Sequence, residues 1–114
     1  MQVISTIDNN AYQKFSYILD DGSRANIVLR YLPTQNRWVM DISDENGFEV
    51  NGIFVCCCPN ILDKWHNVIK YGINIATEDG IDPSLQDDFA TGYAMFSMLN
   101  EKEMKEATRY LNGL

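Results

Sequence analysis

Apolar and polar side chains alternate with a period of two through the first half of the chain, and this spacing is typical of half-buried β-strands. One run occupies residues 15–19 and the next occupies residues 25–31, with the turn residues Asp20-Asp21-Gly22-Ser23 between them. Because aspartate, glycine and serine favour tight turns, the two runs predict a β-hairpin. The second run predicts a core face made of Ala25, Ile27, Leu29 and Tyr31.

Two further strands are predicted between residues 38 and 58. Trp38, Met40 and Ile42 share one face of the first strand, and the turn residues 44–47 follow it. Residues 48–58 continue as a second strand region, in which Asn51-Gly52 predicts a bulge or a turn.

After residue 60 the spacing becomes helical. The predicted apolar face of this helix consists of Ile61, Leu62, Trp65, Val68 and Ile69. Asn60 is a candidate N-cap with Asp63 three residues later, and Gly72 is a natural stop, so a short helix is expected near residues 60–70. Strands are then expected near residues 71–77 and 91–99.

The strongest local signal lies near the C-terminus. Asn100 and Glu103 form a capping box, and Leu99 and Met104 have the spacing of a hydrophobic staple. A helix is therefore predicted near residues 100–112. Its stripe of Met104, Ala107 and Leu111 must dock on another surface, because an isolated helix of this length is marginal in water. A neighbouring subunit is favoured over the protein's own sheet.

Composition narrows the class of protein. The chain has 114 residues, and nine Lys and Arg against 16 Asp and Glu give a net charge of −7 at pH 7. This length fits a single domain, residues 1–114. The acidic balance argues against duplex or sequence-specific nucleic acid binding. We find no apolar run long enough to span a membrane and no secretory signal at the N-terminus, so no membrane insertion is expected.

All three cysteines are consecutive, at Cys56, Cys57 and Cys58. Neighbouring residues of a strand point to opposite faces, so the run suits neither a disulfide framework nor a tetrahedral zinc site. We interpret the cysteines as packing residues in a reducing compartment. Cys57 shares strand parity with Ile53 and Val55, and is therefore the member expected to be buried.

Candidate chemistry is sparse, and no catalytic, cofactor-binding or metal-binding residue is predicted. His66 is the single histidine and lacks the local signature of a nucleophile motif, so a small hydrolase built on it is only a lesser alternative. The acidic turns near Gly47 and Gly80 fail as calcium loops, because Ile42 and Ile75 occupy the leading ligand positions. They are interpreted as solvated turns.

A second alternative is a small ligand-binding β-barrel. A pocket lined by Trp38, Tyr17 and Phe54 with convergent polar groups would favour that function. An exposed apolar surface would instead favour a protein that assembles with partners.

Two segments have distinctive patterns: Leu29-Arg30-Tyr31 ends one predicted strand, and Trp38 to Gly47 has the pattern Trp-x-x-Asp-Ile-x-Asp-x-x-Gly. They resemble a strand end and a hairpin of the baseplate plug family of contractile-tailed bacteriophages. Further similar segments are residues 15–22, 52–55, 60–62 and 72–75. The chain departs from the family pattern at Leu32-Pro33 and at the cysteine run, and the resemblance extends over about residues 12–99.

The resemblance implies a structural virion protein without catalytic residues or cofactors. It implies a role in plugging or bridging the central channel of the tail baseplate, in contact with hub and tail-tube or tube-initiator proteins. A homo-oligomer around the tail axis and assembly in the host cytoplasm are expected. The expected fold is mainly β, with about six or seven antiparallel strands in a barrel-like or half-closed sheet. A plug-like body at residues 12–99 would carry a helical extension at residues 100–114.

Overall fold

A computed structural model describes residues 1–111 of the chain. Within these residues there are seven β-strands, one 3-10 turn at Asp63–Trp65 and one α-helix, α1, at Glu101–Leu111. The strands are β1 (Gln2–Val3), β2 (Tyr12–Ile18), β3 (Arg24–Leu32), β4 (Arg37–Asp44), β5 (Glu49–Phe54), β6 (Gly72–Thr77) and β7 (Ala94–Leu99). The expectation of a mainly β protein with about six or seven antiparallel strands is confirmed.

The strands form two separate antiparallel sheets, so the expected barrel-like closure is wrong. One sheet has the order β2-β3-β4-β5 and the other the order β1-β7-β6. The chain leaves the first sheet where the N–H of Val55 donates to the carbonyl of Trp38, and reaches β6 through one isolated bridge between Cys58 and Ile75. A single bridge is not a ladder, and therefore the described strands do not close on themselves.

The two sheets share one core that follows the sequence alternation. The predicted face of β3 is buried throughout, and Trp38, Met40 and Ile42 of β4 are at most 1% exposed. Phe15 of β2 contacts Phe96 of β7 edge to face, with ring centroids 5.7 Å apart. The predicted hairpins therefore place their apolar faces as expected.

The predicted irregularity at Asn51-Gly52 is confirmed as a β-bulge. The pairing of β4 with β5 shifts between Met40 and Ile42, so that two residues of β5 lie opposite Asp41. Gly52 has a φ of 79° and its N–H donates to Asp41 Oδ1 at 2.8 Å. A side chain rarely adopts this backbone conformation, which explains the glycine.

The helix expected near residues 60–70 is wrong, because only the single 3-10 turn forms there. Asn60 is not the N-cap of an α-helix, because only the 3-10 turn follows it. Its buried Oδ1 accepts hydrogen bonds from the N–H of Leu62 and from the N–H of Ile73 in β6, each at 3.0 Å. This long-range bond ties the segment to the sheet. Leu62 and Ile69 are buried, whereas Val68 of the expected apolar face is 71% exposed. The two-residue strand β1 was also missed, since it is too short to show a period.

The C-terminal helix is confirmed, although its predicted last residue, 112, lies outside the described residues. Both capping-box bonds form: Glu103 N–H donates to Asn100 Oδ1 at 2.8 Å, and Asn100 N–H donates to Glu103 Oε1 at 3.1 Å. The expectation that this helix docks on a neighbouring subunit is wrong for Met104, because Met104 is 3% exposed and therefore already buried within this chain. The hydroxyl of Thr108 also donates to Asp63 Oδ1 at 2.8 Å.

Candidate interaction groove

An open groove of about 1150 Å³ lies at the end of the molecule where β4 finishes and β6 begins. It is bordered by the ends of β2 and β7, the turn between β4 and β5, the segment after the 3-10 turn, and the start of α1. We define the apolar floor of the groove by its lining residues Leu19, Phe48, Val50, Trp65 and Ile69. The fold thus leaves one end of its core accessible.

Aromatic side chains give the floor its shape. The rings of Phe48 and Trp65 meet at 70°, with centroids 5.9 Å apart. The ammonium of Lys64 lies 5.7 Å from the Trp65 ring centroid, a cation–π distance. Val68 lines the same groove and is 71% exposed. Such a degree of exposure for a β-branched apolar side chain leaves room for a contact from outside.

The wall of the groove is fixed by a pair that joins the two sheets. The buried Tyr71 hydroxyl donates to Asp44 Oδ2 at 2.9 Å, while Asp44 Oδ1 accepts from the N–H groups of Asn46 and Phe48. Burial, reinforced by the hydrogen bond to Asp44, raises the pKa of Tyr71 far above its ordinary value. Tyr71 therefore stays a neutral donor, and this one carboxylate organises both the turn and the wall.

The rim of the groove is strongly acidic. Lining carboxylates are contributed by Asp20, Asp21, Asp44, Glu49, Glu101 and Glu103. Against these the lining contains Lys70 and the amino group of Met1. That amino group binds Glu103, and the bond lowers the pKa of the Glu103 carboxyl. Hydrogen bonds from Ser23 likewise lower the pKa of Asp21.

The three residues considered for a ligand pocket do not converge. Tyr17 lines the groove, whereas Trp38 is fully buried and its Nε1 donates to the carbonyl of Leu85 at 3.1 Å. Phe54 is 47% exposed and lies under the guanidinium of Arg37, 4.8 Å from ring centroid to Cζ. The described strands do not form a closed sheet either. Both observations argue against a small ligand-binding β-barrel.

The expectation for the cysteine run is corrected. Strand β5 ends at Phe54, so strand parity does not extend to Cys57, and all three cysteines are only half-buried free thiols. Cys57 Sγ lies 3.2 Å from Thr77 Oγ1, and its N–H donates to Asp82 Oδ1 at 2.8 Å. Burial raises the pKa of the Cys56 thiol, which keeps it protonated at neutral pH. The run forms a crossing between the sheets rather than a strand.

His66 and the acidic turns take up local structural positions. His66 directly follows the 3-10 turn, and its Nδ1 atom lies 2.7 Å from the carbonyl oxygen of Asp63. In the second acidic turn, Asp79 Oδ1 accepts from the N–H of Ile81 and from the hydroxyl of Tyr93. Across residues 1–111 there is no group of three His, Cys, Asp or Glu side chains arranged to hold a metal ion.

Sequence reasoning missed the groove and the Tyr71–Asp44 pair. These two residues are 27 positions apart, and nothing in the local pattern around Tyr71 points to a carboxylate partner. The Asp-x-Asn-Gly turn beginning at Asp44 was the one available signal, because an aspartate there caps the turn and keeps a second oxygen free.

The described residues thus define a small two-sheet β protein that carries an apolar groove with an acidic rim. In this part of the chain, no helix is both long and apolar enough to cross a membrane. The family model for the cyanophage baseplate Pam3 plug gp18 matches residues 1–99. The chain therefore belongs to this baseplate plug family, which confirms the resemblance seen in the sequence. No match was found among curated proteins. Membership supports a structural role in a phage tail baseplate and suggests a protein that is not an enzyme.

Proposed function

We propose that this protein plugs or bridges the central channel of a contractile phage tail baseplate by binding hub and tail-tube or tube-initiator proteins. The observation that carries the proposal is the match of residues 1–99 to the plug family. The match ends at Leu99, directly before the cap of α1, and this supports a plug body followed by an extension at residues 100–114 that begins with α1.

The surface of the chain supports a protein that works by contact. Large apolar side chains that remain exposed include Tyr12, Ile18, Phe54, Val68, Ile81 and Leu85. They are spread over β2, β5 and the connecting segments, so several neighbours could each bury some of them. Burial of apolar surface is the main favourable term in protein association.

The charge suits a position at the tail axis. With a net charge of −7, the surface repels nucleic acid that passes along the channel. A closed ring of copies would repeat this charge around the axis and give the plug the symmetry of the tail. The proposal therefore includes a homo-oligomer located in the virion, assembled in the host cytoplasm, without sequence-specific contacts to nucleic acid.

Cryo-electron microscopy of virions made without this protein tests the proposal. We expect baseplates that lack density in the central channel, together with a strong loss of infectivity. Supplying the wild-type chain in trans restores both, and His66→Ala, directly after the 3-10 turn, restores them equally well. Baseplates with an unchanged, closed channel in the absence of this protein would overturn the proposal.

A further inference from the structure

We propose that the groove binds a polypeptide segment of a neighbouring protein that carries apolar side chains flanked by lysine or arginine. The inference rests on the proposed function for the source of the segment, a neighbour in the baseplate. It rests on the groove itself for the chemistry that is recognised.

The size and openness of the groove favour a polypeptide over a small molecule. Small-molecule pockets measure about 300–1,000 Å³ and enclose most of the ligand. This groove measures about 1150 Å³, is open to solvent where Val68 is exposed, and is lined by residues of both sheets and of α1. Its floor presents Phe48 and Trp65, and Val68 stands at its edge. An extended or helical segment could place successive apolar side chains along such a floor.

The rim decides the charge of the segment. Some carboxylates already have partners, since Asp44 binds Tyr71 and Glu103 binds the amino terminus. Asp20 and Glu49 take part in none of the ion pairs that form within residues 1–111. Glu101 is paired only with Lys105, at 3.3 Å on an exposed helix face, and pairs of this type are weak and easily exchanged. These three carboxylates are available to an incoming cation.

Charge complementarity also selects among possible occupants. A second copy of this chain carries −7, and nucleic acid and anionic lipid are likewise negative, so each would face like-charge repulsion at the rim. A basic segment is attracted over about one Debye length before its apolar side chains reach the floor. The rim thus sets partner choice and association rate, and the floor supplies affinity.

Two fluorescently labelled dodecameric peptides test the proposal on the full chain. Both carry the same alternating leucine and valine residues, with lysine at every other position in one peptide and glutamate in its counterpart. Fluorescence anisotropy should show the lysine peptide binding at least about tenfold more tightly, a preference that shrinks at high salt. Failure of the lysine peptide to bind, or equal binding of both peptides, would overturn the inference.

Matched charge reversals locate the binding site. Asp20→Lys with Glu49→Lys changes the rim, whereas Glu78→Lys with Glu106→Lys makes the same change in net charge at exposed positions outside the groove. We expect about a tenfold loss of lysine-peptide affinity for the first pair and less than about a twofold loss for the second. Equal losses would show that net charge alone is responsible and would contradict a groove site. Thermal unfolding of both variants verifies that they fold.

These measurements separate the inference from the proposed function, because the peptides are assayed without a tail. A chain that is found in baseplates but does not distinguish the peptides would overturn the groove inference alone. A chain that distinguishes them but is missing from baseplates would overturn the proposed function alone.

Discussion

A loop covers one end of the core, whereas the other end is open at the groove. At one end the connection between β6 and β7, residues 78–93, folds over the core: the Tyr31 hydroxyl donates to the carbonyl of Ser84, and Trp38 Nε1 donates to the carbonyl of Leu85. Phe89 of the same connection packs edge to face on Trp38, with centroids 5.6 Å apart. At the other end the groove leaves Phe48 and Trp65 half-exposed.

The difference shows what acidic segments do in this protein. At the closed end the acidic loop supplies backbone carbonyls to aromatic donors, and Asp88 Oδ2 accepts from the N–H groups of Ser84 and Leu85 to hold the loop in place. At the open end the carboxylates stand around an apolar floor that the described chain does not cover. One set of acidic residues therefore completes the fold, and the other set leaves a surface for a partner.

Replacement of Trp38 by alanine should give the largest effect, because it removes a fully buried side chain and the anchor of the closing loop. We expect a loss of about 3–5 kcal/mol in the free energy of unfolding. Urea-induced unfolding followed by circular dichroism measures it.

Trp65→Ala is the matched control at the open end. Because Trp65 is only half-buried, its replacement should cost clearly less stability than Trp38→Ala and instead weaken binding of the lysine peptide. Equal destabilisation by the two substitutions would break the comparison, since it would make the floor of the groove part of the core.

Asn60→Ala should give the second-largest effect. The substitution leaves the N–H groups of Leu62 and Ile73 without their acceptor in a buried site. Since each buried donor left unpaired costs about 1–3 kcal/mol, a loss of at least about 2 kcal/mol in the free energy of unfolding is expected. Asn67→Ala, at an exposed position of the same segment, is the control. A change below about 0.5 kcal/mol at Asn60 would show that the segment is not fixed by this side chain.

Asn60 also illustrates why part of the fold could be predicted from the sequence and part could not. The faces of β3 and β4 were predictable because a strict two-residue alternation depends only on neighbours along the chain. The capping box of α1 was predictable for the same reason. The side chain of Asn60, in contrast, bonds to Ile73 in a different element, and this distant partner turned an expected helix into a single 3-10 turn.

The candidate site was harder to predict than the fold. The groove exists because the two sheets do not close, and closure depends on pairing between strand edges that are far apart in sequence. The cysteine run was mispredicted for the same reason. Its residues have the composition of a strand, but β5 ends at Phe54, and Cys58 pairs with Ile75 of β6 through an isolated bridge. The motifs around Leu29-Arg30-Tyr31 and Trp38 identified the family, because they lie in the best-patterned hairpins.

Tyr71→Phe tests the wall of the groove and should have a moderate effect. It removes the donor to Asp44 Oδ2, and a hydrogen bond to a charged group contributes about 1.5–3 kcal/mol. We expect a loss near the lower limit, about 1.5 kcal/mol in the free energy of unfolding at neutral pH, because Asp44 is partly exposed. Phe48 and the turn should become more mobile, as hydrogen exchange of the amides of residues 45–48 can show.

The same substitution predicts an alkaline effect with a definite sign. The pKa of Tyr71 is raised in the folded protein, first by burial and then by Asp44, so the folded state holds the hydroxyl proton more tightly than the unfolded state does. Its stabilising contribution is fully present below the unfolded tyrosine pKa of about 10, and is lost as pH rises above it. Above a pH of about 10, the free energy of unfolding of Tyr71→Phe should therefore fall less steeply with pH than that of the wild type. Tyr110→Phe, which removes the same hydroxyl from a side chain that is 72% exposed, is the matched control. If the free energy of unfolding falls equally steeply with alkaline pH in Tyr71→Phe and in the wild type, the Tyr71–Asp44 pair is contradicted.

The smallest effect is expected at the start of α1, where the rim of the groove meets the helix. Asn100→Ala removes the acceptor for the N–H of Glu103, and loss of such a cap costs about 1 kcal/mol. Because the helix is also held by buried Met104, fraying should be confined to its first turn. Asn100→Gly should cost only a few tenths of a kcal/mol, since glycine tolerates the cap conformation. Chemical denaturation measures both losses, and Lys102→Ala on the exposed face is the control. If Asn100→Ala instead abolishes cooperative unfolding, α1 is part of the core of the plug body, and the rim that it contributes is no separate extension.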